Sequence, residues 1–190
     1  EKIKCTFKGK KAHAGIEPEK GINAILVAAD AISNMHIGRI DELTTSNIGR
    51  IEGGGATNIV TDTVTFTAEI RSHIADKLQE EIEHMEKCCR EAAQKFGAEY
   101  EFTHENCYPP FSLDLESDLY KLTEKAILKE GITPEPIVIG GGSDANILAA
   151  LGYQSAILSI GMYEPHAVTE YLKIDEMWDT LKVVRNMMDI

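Results

Sequence analysis

Basic charge is scarce in these 190 residues: 19 Lys and Arg stand against 31 Asp and Glu, a net charge of −12. That balance argues against nucleic acid or an anionic membrane surface as the partner, so any anion the chain binds must be handled locally. Long apolar runs are missing too. None approaches the roughly 20 residues of a membrane-spanning helix, and no signal-peptide pattern is present. Cysteine is sparse and poorly spaced for cross-linking: Cys5, Cys88, Cys89 and Cys107, with two adjacent, suit neither a disulfide framework nor a zinc-finger spacing. Reduced thiols of a cytoplasmic protein are expected. There is no internal repeat and no low-complexity segment. The chain opens on Glu1 rather than Met, which reads as part of a longer polypeptide.

What is present divides into two textures. Lys2 to Lys8 alternates as a half-buried strand, with Ile3, Cys5 and Phe7 on one face. A loop carrying His13 follows, then a helix starting near Pro18 whose Ile22, Ile25, Leu26, Ala29 and Ile32 form an apolar stripe. Thr45 to Glu52 reads as a weaker strand, and Thr63 to Arg71 alternates most clearly, with Val64, Phe66, Ala68 and Ile70 inward. Asp76 and Gln79 resemble a capping box for a second helix, whose Leu78, Ile82, Met85, Cys89, Ala92 and Phe96 share a face up to Gly97. Tyr100 and Phe102 mark a fourth strand, stopped by Pro109-Pro110. The order strand, helix, strand, strand, helix, strand predicts an α+β, ferredoxin-like βαββαβ sandwich over residues 1–108. Its second strand should lie at a sheet edge, where a symmetry mate can pair.

Residues 109–190 read differently. A helix around Leu119, Leu122 and Ala126 ends at Gly131, and a last helix capped by Asp175 places Met177, Leu181, Val184 and Met188 on one face. Continuous apolar runs at 136–139 and 156–160 predict parallel strands of an α/β domain. Two such strands do not make a stable sheet, so this part is expected to belong to a larger α/β domain.

Between that first run and the next helix lies Gly140-Gly141-Gly142-Ser143-Asp144-Ala145-Asn146. A strand, a glycine turn and a helix start can hold an anionic group on free main-chain N–H groups. The letters also satisfy the dinucleotide fingerprint G-x-G-x-x-A, although Asp144 would put negative charge where a pyrophosphate sits. The glycines could equally do no more than close a turn. His166 follows the second run, in a loop position that suits a ligand, but one imidazole cannot hold a zinc ion. His13 sits between Ala12 and Ala14 in its loop and could be an ordinary loop residue, while Arg71 could fork onto a carboxylate or pair with Glu69 or Asp76. Glu80 and Glu81 read as solvent-facing helix residues.

These segments, in this order, resemble the C-terminal portion of the co-catalytic zinc metallopeptidases that include peptidase T, the G-type carboxypeptidases, aminoacylase and succinyl-diaminopimelate desuccinylase. The peptidase T branch, the tripeptide aminopeptidases, looks closest. The matching residues are Gly9 to Gly15 with Gly21 to Ala24, Gly53 to Val60, Glu69-Ile70-Arg71, Gly141 to Asn146, and His166 with Glu170-Tyr171. The resemblance implies a lid that dimerises, followed by the C-terminal part of an α/β catalytic domain. It implies that His166 is the last ligand of the second of two zinc ions, and that His13 reaches an active site, that of the partner subunit, to polarise the scissile carbonyl. Asn58, Arg71, Gly141, Gly142 and Ser143 would bind a small peptide, Arg71 gripping a carboxylate. The family's H-x-D motif, bridging Asp and Glu-Glu pair are absent, and none of the six histidines has Asp two residues on. The chain alone is therefore expected to be inactive. The alternatives are a non-catalytic dimerisation or binding module and a zinc amidohydrolase acting on N-acyl amino acids.

Overall fold

In the computed structural model, which describes residues 1–188, the alternating start of the chain is strand β1 (Lys2–Lys8), with Ile3, Cys5 and Phe7 buried and Lys2, Lys4 and Lys8 exposed. It is flanked on both sides. It pairs antiparallel with β4 (Thr63–Ser72), from Lys2↔Glu69 to Lys8↔Thr63, and with β5 (Glu99–Glu105), from Lys2↔Glu105 to Lys8↔Glu99. With β3 (Thr44–Gly53) and the short β2 (Gly38–Arg39) the sheet order is β2-β3-β4-β1-β5. Leaving β2 aside, this is the expected α+β sandwich. The inward faces of β1 and β4 pack against helices α1 (Ala24–Ser33) and α2 (Ala75–Phe96) around Phe7, Phe66, Ile3, Ile70, Val27 and Met85. Phe7 and Phe66 meet at 6.2 Å between ring centroids. The chain divides into two compact units, Glu1–Cys107 and Tyr108–Ile190.

Four details of the first unit differ from the sequence reading. Asn23 caps α1, its side chain accepting from the Ile25 N–H at 2.9 Å, so the helix starts later than Pro18, which lies in a separate 3-10 turn. That start sets the buried face as Ala24, Val27, Ala28 and Ala31, leaving Ile25 and Leu26 exposed; small residues let the helix approach the sheet, and a helix apolar all round hides its own phase. Asp76 is no cap: α2 begins after Ile74 without a side-chain cap, although its buried stripe and the Gly97 terminus at φ 71° agree with expectation. Glu81 is not a solvated helix residue, since its carboxylate meets His36 Nδ1 at 3.2 Å. The edge strand β3 is partly covered, because β2 pairs with it at Thr45 and Ser46, and a register shift between Ile48 and Arg50 bulges the remainder.

The second unit has helices α3 (Asp118–Lys129), α4 (Asp144–Ala150) and α5 (Ile174–Met188) and a two-stranded ladder of β6 (Met162–Tyr163) and β7 (Tyr171–Leu172). The expected parallel strands at 136–139 and 156–160 are not formed: both runs are irregular, with Ile137 and Val138 over 70% exposed. No ladder partner for them exists among the described residues. The expected apolar stripe of α5 is likewise exposed. Its buried residues are Val183 and Asn186, the latter reaching Glu130 Oε1 of the α3 C-cap at 2.5 Å. Asp175 lies in the first turn of α5 rather than before it.

Candidate functional site

His13 is held by loops knitted edge to edge beyond the end of β1. Gly9 N–H donates to Asp62 O at 2.7 Å, and Lys10 and Ile22 exchange two main-chain bonds of 2.9 Å. On the other side Val60 N–H reaches Ala12 O and Ala14 N–H reaches Asn58 O, both at 2.9 Å. The packing leaves no room at two glycines: a Cβ on Gly9 would sit 2.1 Å from Ile22 O, and one on Gly21 would sit 2.9 Å from Ala12 Cβ and Val60 Cγ1. His13 and Asn58 are exposed on adjoining strands of this loop pair. Gly15 N–H donates to His13 Nδ1 at 3.1 Å. In the neutral ring that bond assigns the proton to Nε2, so the imidazole offers an N–H donor to its surroundings.

Arg71 lies elsewhere on the same unit. It follows Thr65, Thr67 and Glu69 on the face of β4 that the helices leave uncovered, and its Nε donates to the Glu69 carboxylate. In the β1–β4 register the His13 loop continues from the Lys8↔Thr63 end, whereas Arg71 lies past the Lys2↔Glu69 end. Eight residue steps of strand, about 26 Å, separate Thr63 from Arg71. His13 and Asn58 are thus brought together, and Arg71 of the same chain is not with them.

In the second unit the glycine turn leads into α4 through a capping box. Ser143 Oγ accepts from Ala145 N–H at 3.2 Å, and Asn146 Oδ1 accepts from Ser143 N–H at 3.0 Å. Asn146, 7% exposed, also donates to Pro109 O at 3.1 Å. Gly141, Gly142 and Ser143 are exposed. Sequence reasoning missed Tyr108: a Cβ on Gly142 would lie 1.8 Å from its hydroxyl oxygen, so the tyrosine occupies the space that the missing side chain leaves. A glycine followed by a capped helix was the available signal, but nothing in the sequence linked it to a residue 34 positions earlier. The dinucleotide reading loses its context here, because the run before the turn forms no strand.

His166 stands in the loop joining β6 to β7, in the left-handed region at φ 68°, and Glu164 is there too at φ 53°. Side chains hold this unusual backbone. Glu170 Oε2 accepts from His166 N–H at 2.8 Å, and Thr169 donates to the Glu164 carboxylate. Tyr163 and Tyr171 stack at 5.1 Å across the ladder below it. Lys173 bridges the Tyr163 hydroxyl (3.1 Å) and Glu176 (2.9 Å); the Glu176 carboxylate, then the tyrosine, push the lysine above its usual range. The imidazole of His166 is exposed and could serve as one metal ligand. Among the described residues no three His, Cys, Asp or Glu side chains converge on a metal position, so these residues do not by themselves hold a zinc ion.

Comparison with known proteins agrees with the fold of the first unit. A family model for the peptidase dimerisation domain of the M20 group matches residues 2–97. The uncharacterized protein YqjE of Bacillus subtilis is 42% identical over 183 residues, 96% of this chain and 49% of its own length. Peptidase T of Lysinibacillus sphaericus is 23% identical over 99% of this chain and 46% of its own. Among solved structures, aminopeptidase PepT from Bacillus cereus superposes with a TM-score of 0.83 at 38% identity, covering 99% of this chain and 50% of that one. A tripeptidase from Staphylococcus aureus gives 0.88 at 35% identity, covering 98% and 50%. The chain thus spans about half the length of the relatives it matches. It belongs to the M20 peptidase family and carries that family's dimerisation domain.

Proposed function

We propose that residues 1–108 are the lid and residues 109–190 the C-terminal catalytic portion of a zinc-dependent, cytoplasmic aminopeptidase acting on small peptides, inactive as this chain alone. The observation that carries the reading is the His13–Asn58 loop pair: an exposed imidazole whose Nδ1 is committed to Gly15 N–H and whose Nε2–H is a donor suited to a developing oxyanion. Asn58 beside it, Arg71, and the Gly141, Gly142 and Ser143 turn bind the peptide, with Arg71 on its carboxylate. His166 is the last ligand of the second of two zinc ions, which supply Lewis-acid chemistry when bound. The four free thiols support a cytoplasmic setting.

The chain works as a homodimer through the free part of the β3 edge. The exposed Ile25, Ile51 and Ile59 support this: Ile51 lies on β3, and Ile25 Cδ1 would lie 3.6 Å from a Cβ on Gly54 at its end. An antiparallel β3 pair about a two-fold axis reverses the sheet ends. His13 and Asn58 of one subunit then share an end with Arg71 of the partner subunit.

The test is subunit complementation in the full-length polypeptide containing this sequence. His13→Ala and Arg71→Ala homodimers should each lose peptidase activity. Mixed subunits should recover it, because each heterodimer regains a site with both wild-type groups. A full-length protein without zinc or peptidase activity overturns the enzyme reading, and mixtures that stay inactive overturn the shared site.

A further inference from the structure

In the first unit the C-terminal end of α1 meets the middle of α2 through three donor atoms of different chemistry. His84 Nε2 lies 3.3 Å from Asn34 O, Cys88 Sγ lies 3.4 Å from the same oxygen, and Sγ and Nε2 are 3.6 Å apart. His84 and Cys88 are one turn apart on α2, and Asn34 is the C-cap of α1, whose last carbonyls carry the negative end of the helix. A tetrahedral ion with ordinary zinc–nitrogen, zinc–sulfur and zinc–oxygen bonds places such atoms about 3.4 to 3.6 Å apart. The observed triangle matches that within about 0.2 Å.

The surroundings fit a cation as well. A cleft of about 340 Å³, lined by Asp30, Asn34, His84, Cys88 and Glu91 among others, opens beside the triangle and leaves a path for an ion and a water ligand. Its two lysines are engaged with acids, Lys95 with Asp30 and Lys87 with Glu91 at 3.8 Å. The His36 ring stacks on His84 at 3.9 Å with its own Nδ1 on Glu81, which restricts rotation of the His84 imidazole.

We propose that His84 Nε2, Cys88 Sγ and the Asn34 carbonyl form a binding site for a borderline-soft divalent cation of the zinc type, clipping α1 to α2. Binding replaces the hydrogen bonds that now hold the triangle. The Cys88 thiol releases its proton to solvent and binds as thiolate, while His84 carries its proton on Nδ1, so one proton leaves per ion bound. Because a proton is released, binding weakens as pH falls.

The probe is cobalt(II), titrated into the reduced 190-residue chain at neutral pH. The expected result is a near-ultraviolet thiolate-to-cobalt band that saturates at one ion per chain, is displaced by zinc, and accompanies release of one proton. Cys88→Ala should abolish the band and His84→Gln should weaken binding at least about tenfold, whereas Cys107→Ala leaves it unchanged. Absence of a thiolate band, or a band that survives Cys88→Ala, overturns the proposal and leaves the triangle as a hydrogen-bonded helix cap. Should Cys88→Ala fail to fold, His84→Gln decides: an unaltered cobalt affinity in that variant is equally fatal.

Discussion

Gly9→Ala tests the knitting of the His13 loop. The new Cβ would sit 2.1 Å from Ile22 O and 3.0 Å from its carbonyl carbon, and both belong to main chain. Ordinary carbon–oxygen contacts begin near 3.3 Å, so one segment must retreat by about 1.2 Å. That retreat breaks the reciprocal bonds between Lys10 and Ile22, worth about 1 kcal/mol each, and adds about 1–3 kcal/mol of packing strain. The expected loss is about 3–5 kcal/mol, a large part of the stability of a domain this size and on the order of 20 °C in Tm. Urea unfolding followed by circular dichroism measures it. Gly55→Ala is the control: a Cβ there meets nothing within 4 Å, and the change should stay within about 0.5 kcal/mol. A Gly9→Ala loss below about 1 kcal/mol would refute the reasoning, because the close approach would then be free to relax.

Other expectations follow from single contacts. Gly142→Ala should be tolerated at a cost of about 1 kcal/mol, since its clash is with the end of the Tyr108 side chain; pairing it with Tyr108→Ala should recover much of the loss in a double-mutant cycle, and strict additivity would show that the two do not touch. Phe66→Ala should cost about 3–5 kcal/mol by thermal or urea melting, as Phe66 is fully buried against Phe7. Asp41 is held at about 2, below its ordinary 3.8, by the Lys77 ammonium and then by the Leu43 N–H. Its contribution is therefore complete above pH 3.8 and disappears as pH falls towards 2, and Asp41→Asn should flatten that limb of an acid-unfolding curve. Native-state alkylation monitored by mass should modify Cys107 first: it is half-buried, whereas Cys5 and Cys89 are fully buried and the hydrogen bond that the Cys89 thiol donates to Cys5, with burial, raises the Cys89 thiol.

The first unit was legible because its signals are local and agree with one another. Alternation in β1 and β4 fixes both their conformation and their inward faces, and the stripe of α2 ends on a glycine that adopts the left-handed conformation the cap requires. The errors fell where the local signal was ambiguous. Every side of α1 offers alanine, valine, leucine or isoleucine, so only the Asn23 cap sets which of them turn inward. The two-residue β2 is shorter than any periodicity can register, yet it changes how much of the β3 edge is free. Of the candidate site, the sequence showed which loops carry His13 and Asn58 but not that Gly15 fixes the imidazole tautomer, a bond between neighbours whose geometry depends on the turn.

The second unit shows the opposite limit. Pro136 to Ile139 and Ala156 to Ile160 have the composition of buried strands, but a strand exists only as a pairing, and composition says nothing of where the partner is. With no ladder partner for these two runs among the described residues, Ile137, Val138, Ile139, Ile157 and Ile160 stand exposed, and the apolar stripe of α5 stands exposed with them. What does form there is what short-range chemistry can complete: a capping box at Ser143 and Asn146, a tyrosine stack across two-residue strands, and a His166 backbone held by Glu170. Those are also the features that position the candidate site residues of this unit. Local bonds fix the main chain around Ser143 and His166 without the surrounding sheet, whereas the apolar layers beneath them would require strands to pair with. For that reason the glycine turn and the His166 loop keep defined geometry in a unit whose predicted strands do not form.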